Sequence, residues 1–366
     1  DNYLGQDTVS FRQDVDGQGG RNGNNAKFGL DWNPGTKHLF TLQGTINQGL
    51  RPQLNLSNTD WTTPTGLYTI GQISDRTGVR LNSSVDLIYD YKPQKGEELN
   101  VRLSYTDGSR DDNLIFVQDT LLANDIKLPS LQYNTGSFGQ QNELNVIVDY
   151  TKKWNEDSRL EAGAKLITRD DLDGFNRTNI DLSTGTETLD PLSENEFFYE
   201  EDILAAYMNY GFKNGPWGFQ LGLRAEQANI TATQITQDSA FQNNYFQVYP
   251  SAFVTYEIAR GSELNLSYSR RVQRPGGRQL NPFIDYSDPF NLRQGNPYLL
   301  PSFTGSYELG YTQILKKGTT FTANVYFRDR NNLITWYSEV DTNGINTTSH
   351  QNLNSGEDVG LDMNFR

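Results

Sequence analysis

The sequence predicts an all-β chain, a transmembrane antiparallel up-and-down β-barrel. Three observations predict it. Apolar and polar residues alternate with a period of two over segments of about ten residues, the pattern of a strand whose two faces meet different surroundings. Six short turns alternate with six long polar connections, as in a barrel that is tight at one end and extended at the other. Charged residues also stand mid-strand on the polar face, where a dry core would penalise each unpaired charge heavily.

Composition narrows the classes. Tyr 20, Phe 19 and Trp 5 in a chain of 366 residues accompany a mean hydropathy of −0.68, which suits aromatic girdles at a membrane interface better than a compact core. A net charge of −14 argues against a nucleic-acid partner, whose phosphates need a basic footprint. Cysteine is absent, so neither a disulfide framework nor thiolate chemistry is expected. No stretch of about 18 apolar residues occurs, which excludes a transmembrane helix but not a barrel, whose strands are individually weakly apolar. Asp1-Asn2-Tyr3-Leu4-Gly5 lacks the basic and apolar parts of a secretory leader, and the sequence is read as mature, truncated or both.

Taken in order, Asp1 to Asn25 reads as a polar, Gly-rich loop. The short turns follow at 33 to 37, 92 to 97, 152 to 158, 213 to 216, 259 to 262 and 316 to 319; five carry lysine and the fifth carries Arg260. Strands flank each of them. Phe40, Leu42, Gly44 and Ile46 alternate with polar residues, as do Leu99, Val101, Leu103 and Tyr105. The same holds for Leu144 to Tyr150, Leu160 to Leu166 and Trp217 to Ala225. Leu264, Leu266 and Tyr268 lead into Phe303 to Tyr311, Phe321 to Phe327 and a last strand with Val359, Leu361, Met363 and Phe365. Trp32, Trp154 and Trp217, each beside a short turn, are read as inner-interface anchors. The long connections are expected at about 48 to 75, 107 to 142, 169 to 200, 230 to 244, 275 to 301 and 331 to 355. In the fifth, Asn281-Pro282, Asp288-Pro289 and Asn296-Pro297 are turn-starting steps.

About thirteen strands result, an odd number that leaves open edges. Residues 1 to 366 are therefore read as part of one barrel domain, a fragment of a 22-stranded plugged barrel, with no plug segment in this chain. Arg102, Asp149, Arg224, Glu226, Glu308 and Arg328 are expected to face the lumen, as are Asp86, Asp90, Glu161 and Lys165.

The segments SYSRRVQRPGGRQLNPF, from Ser267, and DYSDPFNLRQGNPYLLPSFTGSYELGY, from Asp285, resemble the outer-membrane barrel of TonB-dependent receptors of Gram-negative bacteria. The resemblance covers roughly Glu263 to Arg366. It implies a barrel around a plug, an outer-membrane location among lipid, and uptake of a scarce nutrient (glycan, peptide or metal chelate) powered by a TonB-type energy-coupling protein acting through a plug. Two alternatives stand beside it: a non-transporting barrel that docks partners such as a surface lipoprotein, and a soluble secreted all-β binding protein.

Candidate ligand residues on the long connections are Trp61, Tyr133, Phe175, Tyr199, Trp336, Tyr337, Arg274 and Arg278. Aromatics stack on glycans or grip peptides, and Arg270, Arg271, Arg274 and Arg278 form a basic cluster suited to an anion through forked hydrogen bonds. The competing readings are loop packing for the aromatics and pairing with wall carboxylates or a plug for the arginines. Asp14 to Asn25 and Asp170 to Gly174 resemble the start of calcium loops, although Asn25 stands where the bidentate Glu belongs. Neither a metal nor a cofactor is assigned. The only histidines, His38 and His350, fall at opposite ends of the barrel, so no hydrolytic triad can be assembled and an enzyme is not expected.

Overall fold

The computed structural model describes residues 2–4, 7–63, 66–123, 126–285, 291–315, 318–341 and 345–366. The Asp288-Pro289 step and the lysines of the last short turn, Lys316 and Lys317, lie outside the described residues. Strands β1 (Asn2–Leu4), β2 (Asp7–Gly19), β3 (Asn22–Gly35), β4 (His38–Thr63), β5 (Gly66–Tyr91), β6 (Glu97–Leu122), β7 (Ile126–Lys127), β8 (Leu131–Lys153), β9 (Ser158–Asp181) and β10 (Thr186–Leu189) form the first part. They are followed by β11 (Asn195–Asn214), β12 (Trp217–Gln234), β13 (Ser239–Ala259), β14 (Ser262–Gln273), β15 (Ile284–Asp285), β16 (Asn291–Gln294), β17 (Ser302–Ile314), β18 (Thr320–Val340) and β19 (Asn346–Phe365). One helical turn, α1 (Gly277–Leu280), lies between β14 and β15.

Neighbouring long strands pair antiparallel in chain order, the meander that short hairpin turns impose. β2 and β3 lie end to end along β4. Counting them as one, and setting aside the five strands of two to four residues, the wall has thirteen members among the described residues, in line with the number the periodicity predicts.

The register fixes the faces. Glu201, Arg169, Glu143, Thr106, Ser84 and Thr45 stand opposite one another across successive strands and share the lumen face. Residues offset by one face lipid: Leu204, Ala206 and Met208 on β11, Phe219, Leu221 and Leu223 on β12, Val325 on β18 and Leu361 on β19. Leu221, 57 % exposed, and Met363, 66 % exposed, are tolerable only against hydrocarbon. At the turn end of this band, aromatic rings pair across strands: Trp32 with Phe40 at 5.2 Å, His38 with Tyr91 at 4.8 Å and Trp217 with Tyr256 at 4.5 Å. This is the girdle that amphipathic rings form at a membrane surface.

Several expectations need correction. Most of the long connections are strand: β4, β5 and β6 each run 26 residues. At about 3.3 Å per residue they are roughly 85 Å long, far beyond the thickness of a bilayer. Outside lipid both faces meet water, so the alternation of hydrophobicity disappears while backbone pairing continues. The first 25 residues are likewise mostly strand, and Asp14 to Asn25 and Asp170 to Gly174 lie within β2, β3 and β9 rather than in ion-binding loops. Among the described residues no group of three or more His, Cys, Asp or Glu is arranged to hold a metal.

One wall contact depends on a glycine. Asp149, Gly163 and Tyr207 stand in register on β8, β9 and β11, and the Tyr207 hydroxyl donates to Asp149 Oδ1 at 2.6 Å by lying flat across Gly163. A Cβ at 163 would come within 2.6 Å of the Tyr207 ring and 2.5 Å of the Val148 carbonyl. Gly163→Val is expected to lose this bridge and about 1–3 kcal/mol of stability, read as a lower thermal midpoint in detergent. An unchanged midpoint would count against the cross-strand packing.

Candidate functional site

In the connection from Arg274 to Pro301, the described residues 274–285 and 291–301 do not project from the barrel as an exposed loop. They fold inward. Pro275, Leu280 and Leu299 are buried, and Leu280 and Leu299 pack with Phe197, Tyr199, Ile230 and Ala232 of the wall, flanked by Phe241, Tyr245 and Ile334. Isolated apolar residues in a polar loop have nothing to bury against outside; inside, the facing wall supplies an apolar patch.

Asx-Pro chemistry shapes the fold of the segment. Asn281 Oδ1 accepts from the Phe283 amide at 3.0 Å, and Asn296 Oδ1 accepts from the Tyr298 amide at 3.0 Å. The Gly295 amide donates to the Asn281 carbonyl at 2.9 Å, and the Asn296 amide to the Gln279 carbonyl at 2.7 Å, closing the loop on itself. Polar side chains then fasten it to the wall. Gln234 Nε2 donates to Asn195 Oδ1 at 2.6 Å and to Asn281 Oδ1 at 3.2 Å, Asn243 Nδ2 donates to the Leu299 carbonyl at 3.3 Å, and Asn352 bonds both backbone groups of Leu300. β16 adds a short parallel pairing to β19.

Arg274 is the electrostatic anchor. It pairs with Glu226, donates from Nε to the Tyr245 hydroxyl at 2.6 Å and approaches Glu201 Oε1 at 3.8 Å. Glu226 also pairs with Arg224, and Arg169 joins Glu143 at 2.6 Å to Glu201 at 3.3 Å. Three arginines and three glutamates thus compensate one another in a site where the side chains of Glu201 and Glu226 are each only 6 % exposed. Glu201 Oε1 makes no hydrogen bond, so the ion pairs carry its compensation.

The other sequence-derived candidates scatter. Arg102, Asp149, Arg224, Glu226, Glu308 and Arg328 share, by register, the face on which Arg169 and Glu201 stand; Glu308 accepts from Ser306 at 3.0 Å and Arg328 lies over the Tyr326 ring. Cysteines placed at 308 and 328 are expected to react with a membrane-impermeant, water-soluble thiol reagent, and cysteines at 307 and 327 only with a lipid-soluble one. The reverse pattern would invert the assigned faces. Tyr199 is buried under the inward segment. Tyr133 stacks on Phe116 at 4.6 Å, with the Arg177 guanidinium 3.9 Å from its ring centroid. Tyr133 and Phe175 line a cavity of about 230 Å³ with Arg76 and Arg177. Trp61 stacks on Tyr68, and Trp336 lies 4.0 Å from the His350 ring. Tyr337, one residue on, faces the other side of β18.

Within the basic cluster, Arg270 and Arg271 occupy opposite faces of β14, and only Arg274 reaches the buried network. Arg278 lines a separate lumen cavity of about 410 Å³ with Arg80, Arg110, Asp171 and Asp173. Arg169, Glu143 and Glu201 were missed by the sequence reading. Their signal was faint: charged residues at matching parity on strands that pairing alone brings together. Leu280 and Leu299 offered a stronger clue, as apolar residues beside Asx-Pro steps.

With this geometry in view, the comparisons decide the family. A family model described as the outer membrane protein beta-barrel family matches residues 92–366. The chain belongs to that family. It is an outer-membrane barrel, and its wall has the fold of TonB-dependent receptor barrels. The siderophore receptor PiuA from Acinetobacter baumannii superposes with a TM-score of 0.60 at 11 % identity, covering 97 % of this chain and 61 % of that one. The copper transporter OprC gives 0.55 at 12 % identity, covering 96 % and 60 %. The outer membrane transporter YddB from Escherichia coli gives 0.52 at 12 % identity, covering 94 % and 52 %. The chain therefore spans about half to three fifths of the length of these structures. No curated protein matches it.

Proposed function

We propose that the chain forms the barrel wall and gating segment of an outer-membrane importer of the TonB-dependent kind, which takes up a scarce hydrophilic nutrient (glycan, peptide or metal chelate). The observation that carries this reading is the inward fold of residues 274–285 and 291–301, held by a buried ion-pair network and two leucine anchors. A segment that occludes a water-lined path is what a ligand-responsive conduit needs, whereas a purely structural barrel gains little from it. In this reading residues 1 to 366 belong to one barrel domain, and a plug outside this sequence fills the lumen and engages the energy-coupling protein. The strand extensions beyond lipid offer docking surface for a lipoprotein partner.

The test is the intact mass of the protein extracted in detergent from outer membranes, combined with crosslinking to the energy-coupling protein of the inner membrane. A mass well above 41.5 kDa together with a crosslink is expected. A 41.5 kDa protein without a crosslink would overturn the importer and leave the docking barrel.

A further inference from the structure

On β6, β8 and β9 the outward apolar runs end together. Tyr105, Leu144 and Thr168 stand in one row, and the next outward row is Asp107, Asn142 and Asp170. Polar side chains on all three strands replace lipid-facing ones there, so this row marks the outer edge of the hydrocarbon. The outward face continues beyond it, turned sideways over the membrane and away from the lumen.

Four residues farther on, roughly 13 Å along the strands at about 3.3 Å per residue, the outward positions form a patch of three rows. Its middle row is Asn113, Gly136 and Asn176. Asp111, Phe138 and Gly174 stand on the lipid side of that row, and Ile115, Asn134 and Thr178 on the far side. With only backbone at its centre the patch is dished. The depression has a volume of about 390 Å³, within the range of small-molecule sites, about 300–1,000 Å³.

Its lining joins an apolar platform to a polar rim. Phe138 lies across Gly174, where a Cβ would overlap its ring, and stays 37 % exposed, so the ring keeps an open apolar face. The Gly136 amide donates to Asn176 Oδ1 at 3.2 Å, and Asn113 Nδ2 donates to Asp111 Oδ1 at 3.2 Å, which holds these side chains about the centre. Asn134 Oδ1 has no hydrogen-bond partner among the described residues, and its terminal torsion is soft enough to turn the amide toward a donor. Asp111 brings a negative charge, and among the described residues no Lys or Arg lines the depression.

A pyranose ring fits this arrangement. Its C–H face packs on an aromatic ring, and its adjacent hydroxyls both donate and accept, which amides and a carboxylate answer. The unopposed carboxylate selects an uncharged sugar over a phosphorylated or acidic one. We infer that the depression binds a neutral saccharide of the cell surface, with one sugar ring on Phe138 and its hydroxyls on Asn113, Asn176 and Asp111. Because the site faces along the membrane, this saccharide is a neighbour of the barrel and not its cargo, and the inference does not rest on the importer reading. Its source is either the glycolipid of the surrounding membrane or glycan free in the medium.

The test uses the native protein in detergent and titration calorimetry with maltotriose, mannotriose and the deacylated, dephosphorylated saccharide of the host's surface glycolipid, with glucuronate as the charged control. At least one neutral saccharide binds and glucuronate does not. Gly136→Leu, which fills the depression, and Phe138→Ala, which removes the platform, each weaken binding by about tenfold. A side chain at 136 meets only the ends of Asn176 and Asn113, so the barrel still folds, which an unchanged thermal midpoint checks. Native mass spectrometry separates the sources. Glycolipid retained by the wild type and lost from Gly136→Leu assigns the saccharide to the membrane, whereas equal retention with loss of oligosaccharide binding assigns it to free glycan. Absence of binding by all three neutral probes, glucuronate binding as tight as theirs, or unchanged affinity in both variants overturns the proposal.

Discussion

Arg274→Met is expected to release the inward segment and to cost about 3 kcal/mol. Among the described residues of that segment Arg274 is the one that pairs with the buried glutamates, and its side chain is 18 % exposed beside two carboxylates at 6 %. Methionine fills similar volume but leaves Glu226 with only Arg224, and Glu201 with only Arg169. Removing one partner of a buried pair leaves a charge that water no longer solvates, which explains why the penalty exceeds the net worth of the pair. The loss should be local. Protease cleavage between residues 276 and 300 should accelerate, while the strand content seen by circular dichroism stays constant. Adding Glu226→Gln should restore much of the loss, because the neutral amide no longer needs the guanidinium. An Arg274→Met protein as protease-resistant as the wild type would show that Leu280 and Leu299 hold the segment unaided.

Leu221→Arg should be the most damaging single change on the outer wall, at about 2–4 kcal/mol, as for an arginine near the bilayer midplane of a barrel. Leu221 lies midway along the lipid-facing run from Trp217 to Ala225, and its side chain meets no polar partner there. The adjacent substitution Gln220→Arg points into the lumen, where water and Glu161 or Glu263 on other strands share the same face, and it should stay within about 0.5 kcal/mol of the wild type. Refolding of both variants into lipid vesicles, followed by denaturant titration, separates them. Equal destabilisation of the two would mean that position 220 also touches hydrocarbon.

Periodicity made the wall legible. Alternation around Leu99 to Tyr105, Leu144 to Tyr150 and Trp217 to Ala225 placed the lipid band, because hydrocarbon on one side and water on the other imprint a period of two on the chain. The same alternation sorted Arg102, Asp149, Arg224, Glu226, Glu308 and Arg328 onto one face, and the short turns marked one end of the barrel. Where both faces meet water that imprint vanishes, so the outer halves of β4, β5 and β6 read as loops although their backbones remain paired.

The sequence by itself determined the class of fold, the approximate number of wall strands and the position of the aromatic girdle. Only the tertiary structure decided which way the segment from Arg274 to Pro301 turns, which glutamates Arg274 meets, and that Arg80 and Arg278 share a cavity. The physical reason is distance along the chain. Periodicity is a local property, set by each residue's immediate neighbours and solvent. The pairing of Arg274 with Glu226 and Glu201 joins residues 48 and 73 positions apart in the chain, and only the closed register of β11, β12, β13 and β14 brings them within reach.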